Sequence, residues 1–114
     1  MQLQGDDARA LVLEQESLAL CREEGFIDMS INPLIGLGYL VQRQGDAARA
    51  RGCFAEALAL CRKGEKLGAS CYCLVGLSGV ASLQGQPVRA ARLLDSAEAL
   101  IDLTRIPHGR RGEQ

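Results

Sequence analysis

The chain has 114 residues, 47% apolar and 24% charged, which places it among folded proteins of one domain at most and excludes an intrinsically disordered segment. Its formal charge of -1 offers nothing to neutralise a phosphate backbone, so direct nucleic-acid binding is not expected. No apolar run approaches the ~18 residues of a membrane span and the N-terminus lacks a basic-then-apolar leader pattern, so a cytoplasmic protein without membrane attachment is expected.

Four aromatics (Phe26, Tyr39, Phe54, Tyr72) and no Trp leave the core to Leu and Ala, the residues of closely packed helices. In chain order, the first predicted helix covers residues 6–24 and stops at Gly25. The second covers 30–44, with Ser30 as N-cap, Pro33 in the first turn, Leu34, Leu37, Leu40 and Val41 along one stripe, and Gly45 after its end. Asp46 caps the third, 46–63, whose stripe is Ala50, Phe54, Ala57, Leu58 and Cys61 and whose stop is Gly64 or Gly68. Ser70, at the position equivalent to Ser30, is expected to cap the fourth, 70–84, which stops at Gly85. Gln86 and Pro87 open the fifth, 87–104, and Pro107 closes it. Residues 105–114 read as a flexible tail in which His108 is a solvated side chain.

These elements recur with a period of forty residues, without insertion or deletion. Gly5-Asp6-Asp7-Ala8-Arg9-Ala10 returns as Gly45-Asp46-Ala47-Ala48-Arg49-Ala50 and as Gly85-Gln86-Pro87-Val88-Arg89-Ala90. Ser17-Leu18-Ala19-Leu20-Cys21-Arg22 matches Ala57-Leu58-Ala59-Leu60-Cys61-Arg62, and Gly36-Leu37-Gly38-Tyr39-Leu40 matches Gly76-Leu77-Ser78-Gly79-Val80. A fixed period of this length means stacked helix pairs, which favours a binding surface over a catalytic pocket. The expected repeat domain is 1–104, in units 5–44, 45–84 and 85–104. Met1 to Gln4 align with the last turn of a unit's first helix, so the chain is expected to begin at the end of a helix it does not contain. Two and a half units result, five helices in all, with an open end that something should cover.

The chain resembles a tetratricopeptide repeat protein. That family's Leu-Gly pair falls on Leu37-Gly38, its turn Gly-Asp on Gly45-Asp46, its small residue on Ala50, its aromatic on Phe54 and its Ala-Leu on Ala57-Leu58. The third unit supplies Leu77, Gly85, Ala90, Leu94 and Ala97, with Ser78 in place of the Gly. A period of forty, where the family's usual repeat has 34, is similar to the long repeats in the C-terminal regions of LuxR-type bacterial activators of the maltose-regulator kind and of related signalling ATPases. HEAT-type repeats also have periods near forty and remain an alternative. The resemblance implies an all-α, right-handed superhelix of antiparallel pairs. It also implies a concave groove lined by the first helix of each unit: Asn32, Ile35, Tyr39, Gln42 and Arg43, then Tyr72, Val75, Gly79 and Ser82. The family's clamp for a C-terminal carboxylate needs Lys and Asn where Ile35, Tyr39, Val75 and Gly79 stand, so chaperone-tail binding is not expected. An apolar peptide with one acidic contact at Arg43 suits the groove, unless these residues pack against a neighbouring chain or helix.

The remaining residues carry little chemistry. Five cysteines without an export signal read as buried free thiols; metal binding is disfavoured, since Cys71 and Cys73 lie ~200° apart around a helix. Redox chemistry between Cys61 and Cys71 is the alternative. Arg9, Arg49 and Arg89 form a ladder, as do Arg22 and Arg62, with Asp6, Asp46, Glu56 and Asp95 as local helix-surface partners or, alternatively, with an anion on the stripe. A lone histidine, no nucleophile-base spacing and no phosphate-binding loop argue against an enzyme, and no cofactor is expected. The leading expectation is a scaffold binding a protein or peptide in bacterial signalling or regulation; the alternative is a small-molecule-sensing segment of a LuxR-type activator. The first helix departs from its repeats: Leu11 and Val12 replace Arg51 and Gly52, and Glu14 stands at the phase of Phe54 and Leu94. Leu11, Val12, Leu13 and Leu18 are therefore expected to form a two-fold homodimer across residues 5–24, unless a helix upstream in a larger parent covers them.

Overall fold

The computed structural model describes residues 5–105, and the predicted tail, with Pro107 and His108, lies outside them apart from Arg105. Five α-helices follow one another: α1 (Gly5–Glu24), α2 (Ile31–Arg43), α3 (Ala47–Lys63), α4 (Leu67–Leu83) and α5 (Pro87–Arg105). A 3-10 turn, Asp28–Ser30, leads into α2. There is no strand among the described residues, and the fold is an all-α stack of antiparallel pairs in two and a half repeats.

A still shorter repeat underlies the forty-residue one. At four successive helix ends the amide after the turn residue donates to the carbonyl five residues earlier: Phe26 to Cys21 at 2.8 Å, Asp46 to Val41 at 3.0 Å, Lys66 to Cys61 at 2.8 Å and Gln86 to Ala81 at 2.9 Å. This bond defines the Schellman motif, whose turn residue is left-handed. That residue is Gly25, Gly45 and Gly85 in three turns, with φ of 74°, 90° and 71°, but Glu65 in the other, with φ of 54°. Of the two expected stops, Gly64 or Gly68, the structure selects Gly64: it is the C-cap, with φ of -93°, and a non-glycine residue takes the strained position behind it.

The helix starts are also partly revised. Asp46 caps α3 as expected, accepting from the Arg49 amide at 3.1 Å. Ser30 holds the N-cap position of α2 as expected, but its hydroxyl makes no capping bond and donates back to the Ile27 carbonyl. Ser70 does not cap α4, which starts at Leu67 behind Lys66, so that Ser70 is buried within the helix.

α2 and α4 touch each other, whereas α3 approaches neither α1 nor α5 at the backbone, so an inner row of close helices faces an outer row of splayed ones. The reason lies in side-chain size. α2 and α4 bring glycines to the contact, and Phe54 of α3, with no exposed surface, fills the space between Gly38 and Gly76. A Cβ on Gly38 would lie 2.7 Å from the ring, and one on Gly76 would also strike it. The predicted stripes are buried, with Leu58 half-buried. α4, packed against α2, α3 and α5, is apolar on nearly every face; its buried Ser78 hydroxyl is satisfied by the Ala90 carbonyl at 3.1 Å.

Candidate functional site

The inner row carries the residues expected to line a groove, but they divide into two sets. Ile35, Tyr39, Gln42 and Gly79 are at least half-buried. Ile35 packs on both core clusters. The Tyr39 ring stands edge-on to Phe54, 4.9 Å between centroids at 75°, and its hydroxyl donates to the Tyr72 carbonyl at 3.1 Å, tying α2 to α4. Burial, with smaller contributions from Cys73 and Tyr72, raises the Tyr39 pKa above its usual range. The Gln42 amide nitrogen lies 2.5 Å from where a Gly79 Cβ would stand, so that glycine exists to admit the side chain of its neighbour.

Asn32, Tyr72, Val75 and Ser82 are exposed, and of these Tyr72 and Val75 border a recess. Tyr72 is 64% exposed and Val75 41%. With Tyr39, Gly68, Cys71 and Ile101 they line this recess of about 410 Å³. Sequence reading missed Gly68, Cys71 and Ile101, because the recess is closed by the far end of α5 and no periodicity within α2 or α4 reports that. Arg43 does not stand ready for a ligand carboxylate: its Nη1 pairs with Asp7 Oδ1 at 2.9 Å, bridging α1 and α2.

The other ion pair among the described residues is likewise between helices, not local. One guanidinium nitrogen of Arg22 in α1 reaches both Glu56 carboxylate oxygens in α3 at 2.9 Å. Arg9, Arg49 and Arg89 are exposed and make no ion pair among the described residues. A second and larger recess, about 910 Å³, lies on the outer side between α3 and α5.

The expected self-association face is altered. Leu18 belongs to the core with Leu34, Leu37 and Ala57 and is not free for a partner, and Leu11 is half-buried against both core clusters. Val12 and Leu13 are exposed, and so is Leu20, which the repeat comparison passed over because Leu60 stands at the same phase. Glu14 turns inward against Gly36, the counterpart of Phe54 against Gly76, and desolvation raises its pKa.

None of the five thiols forms a disulfide. Cys71 and Cys73 point opposite ways, but the partner of Cys61 is Cys73, not Cys71. Cys71 Sγ contacts the Ala97 carbonyl at 3.8 Å, while Cys73, hydrogen-bonded to Cys61, has its pKa pushed up to about 12, mainly by burial. Such thiols are inert at neutral pH. No group of three or more potential metal ligands, and no helix long and apolar enough to cross a membrane, occurs among the described residues. Comparison with protein-family models, curated proteins and solved structures yields no match.

Proposed function

We propose that this chain is a non-enzymatic, tetratricopeptide-type interaction scaffold that holds an apolar peptide or protein segment on the α2–α4 face, in bacterial cytoplasmic signalling or regulation. The observation that carries this reading is the exposed ledge of Tyr72 and Val75 over the 410 Å³ recess. Tyr39 spends its hydroxyl on the Tyr72 backbone, which fixes the ledge and leaves an apolar, preorganised floor. Aromatic side chains on a rigid platform are typical anchors of protein interfaces. With Arg43 engaged by Asp7, the segment needs no acidic residue.

Self-association through α1 belongs to the same proposal, carried now by Val12, Leu13 and Leu20. The test of the main reading is selection of peptides from a random display library on the immobilised chain, with counter-selection on Tyr72→Ser/Val75→Ser. Sequences retained by the first and lost on the second support it, and failure to enrich any sequence refutes it. The recess also falls within the ~300–1,000 Å³ range of small-molecule sites, which favours sensing of a small apolar ligand as the second reading. A melting shift with a metabolite panel, abolished by Tyr72→Ser, would select that reading.

A further inference from the structure

We propose that the trough between α3 and α5 binds an amphipathic helix of a partner protein, through apolar side chains on its floor and a carboxylate of that helix on Arg62. The site is on the outer side of the stack and does not depend on the α2–α4 face. α3 and α5 do not approach one another, so the underside of α4 is left as a floor of Leu74 and Leu77, walled by Leu58, Leu93 and Leu100.

The protein itself shows what Arg62 recognises. One repeat earlier the equivalent arginine, Arg22, crosses from α1 to α3 and holds Glu56 by both oxygens at 2.9 Å. Forty residues on, Arg62 is kept but Ser96 replaces Glu56. Arg62 and Ser96 both line the trough, and Arg62 makes no ion pair among the described residues. The bridge that ties the first pair of outer helices is therefore missing from the second, and the guanidinium is left beside an apolar channel. Arg89, also without an ion pair there, lines the trough as well, as does one acidic residue, Glu65, which pairs with neither arginine. Apolar surface flanked by two unpaired arginines is complementary to a helix with leucine-type residues on one face and an acid beside them. A lone alkyl chain in an open channel would keep apolar surface in water, whereas a helix turns its polar face outward.

The probe is a fluorescein-labelled, end-blocked alanine-rich helical peptide with leucines at i, i+4 and i+7 and one glutamate among them, with its glutamine twin as control. Anisotropy titrations on the whole chain should show the glutamate peptide binding about fivefold more tightly, the value of one exposed but well-formed pair. Ser96→Glu, which places a carboxylate for Arg62 at the repeat position that Glu56 holds for Arg22, should abolish that preference. Arg62→Gln should abolish it too, and Glu56→Gln, on the other pair of helices, should leave it intact. Circular dichroism checks that each variant is folded. The proposal is overturned by equal binding of the two peptides, by no binding of either, or by a preference that survives in folded Ser96→Glu. It is equally overturned if decanoate binds and the peptides do not, or if the chain forms a dimer that Ser96→Glu dissociates, which would assign the trough to a fatty acid or to a second copy.

Discussion

The ring of Phe54 occupies the space that a Cβ on Gly76 would need, and the carboxylate of Glu14 stands in the same relation to Gly36 one repeat earlier. A single geometric slot thus holds an aromatic ring in the middle of the stack and an acid at its first pair. Gly76→Ala should destabilise the protein by about 1–3 kcal/mol through overpacking, and Phe54→Ala by about 3–5 kcal/mol through the cavity it leaves. Combined with Phe54→Leu, Gly76→Ala should cost less than the sum of the two changes, since the smaller side chain makes room for the methyl group. Urea unfolding measures all of these, and strict additivity would contradict the slot.

Glu14 gives that slot a pH dependence. Its folded-state pKa lies above the ordinary 4.5 because burial penalises the ionised form, so folding favours the proton. The stabilising contribution is present below 4.5 and is lost as pH rises through the higher folded value. Glu14→Gln, which cannot ionise, should therefore gain stability relative to the parent as pH rises from 4 to 7. Chemical denaturation across that range checks the sign; a variant that loses stability relative to the parent as pH rises would refute it.

Glu65 holds a left-handed conformation that glycine adopts in the three sister turns. Glu65→Gly should therefore stabilise the chain by about 1 kcal/mol, whereas Gly45→Ala should destabilise it by a similar amount. Melting temperatures would move in opposite directions, by about 4–8 °C per kcal/mol in a domain of this size.

The thiols should react in order of access. Iodoacetamide at pH 8 should label half-buried Cys53 first and the fully buried Cys61 and Cys73 last. Because the Cys73 pKa is raised from 9.0 to about 12, its contribution to stability should also fall as pH rises through that interval. Mass spectrometry of peptides after timed alkylation reads the order; early labelling of Cys73 would contradict the packing.

Much of this fold is legible because each level of the sequence repeats the same instruction. Leu34, Leu37 and Val41 recur at helical spacing, Asp46 caps where its short side chain can reach an amide, and the glycines return in phase with the turns. Leu37→Asp and Ala57→Trp, both at buried positions, should each cost several kcal/mol in the same unfolding assay. The site was less legible, for reasons of pairing between distant segments. Ile35 and Gln42 look like surface-lining residues until α4 is placed beside them. Arg43 looks free until Asp7 arrives from another helix, and nothing local to Ser30 or Ser70 tells a capping hydroxyl from one that bonds backward or is buried. Leu18 reads as unburied only when the first helix is considered alone. The exchange of Glu56 for Ser96 was visible in the repeat alignment, but its meaning depends on the Arg22 bridge, which joins residues 34 apart.

The α2–α4 face, with Tyr72 and Val75 at its ledge, is the surface proposed to receive a partner segment. The most direct test is a nitrogen-15 chemical-shift map of the labelled chain titrated with a library-selected peptide. The largest perturbations are predicted at Gly68, Cys71, Tyr72 and Val75, with α1 unchanged. Perturbations confined to α1 or to the outer helices α3 and α5 would contradict the proposal.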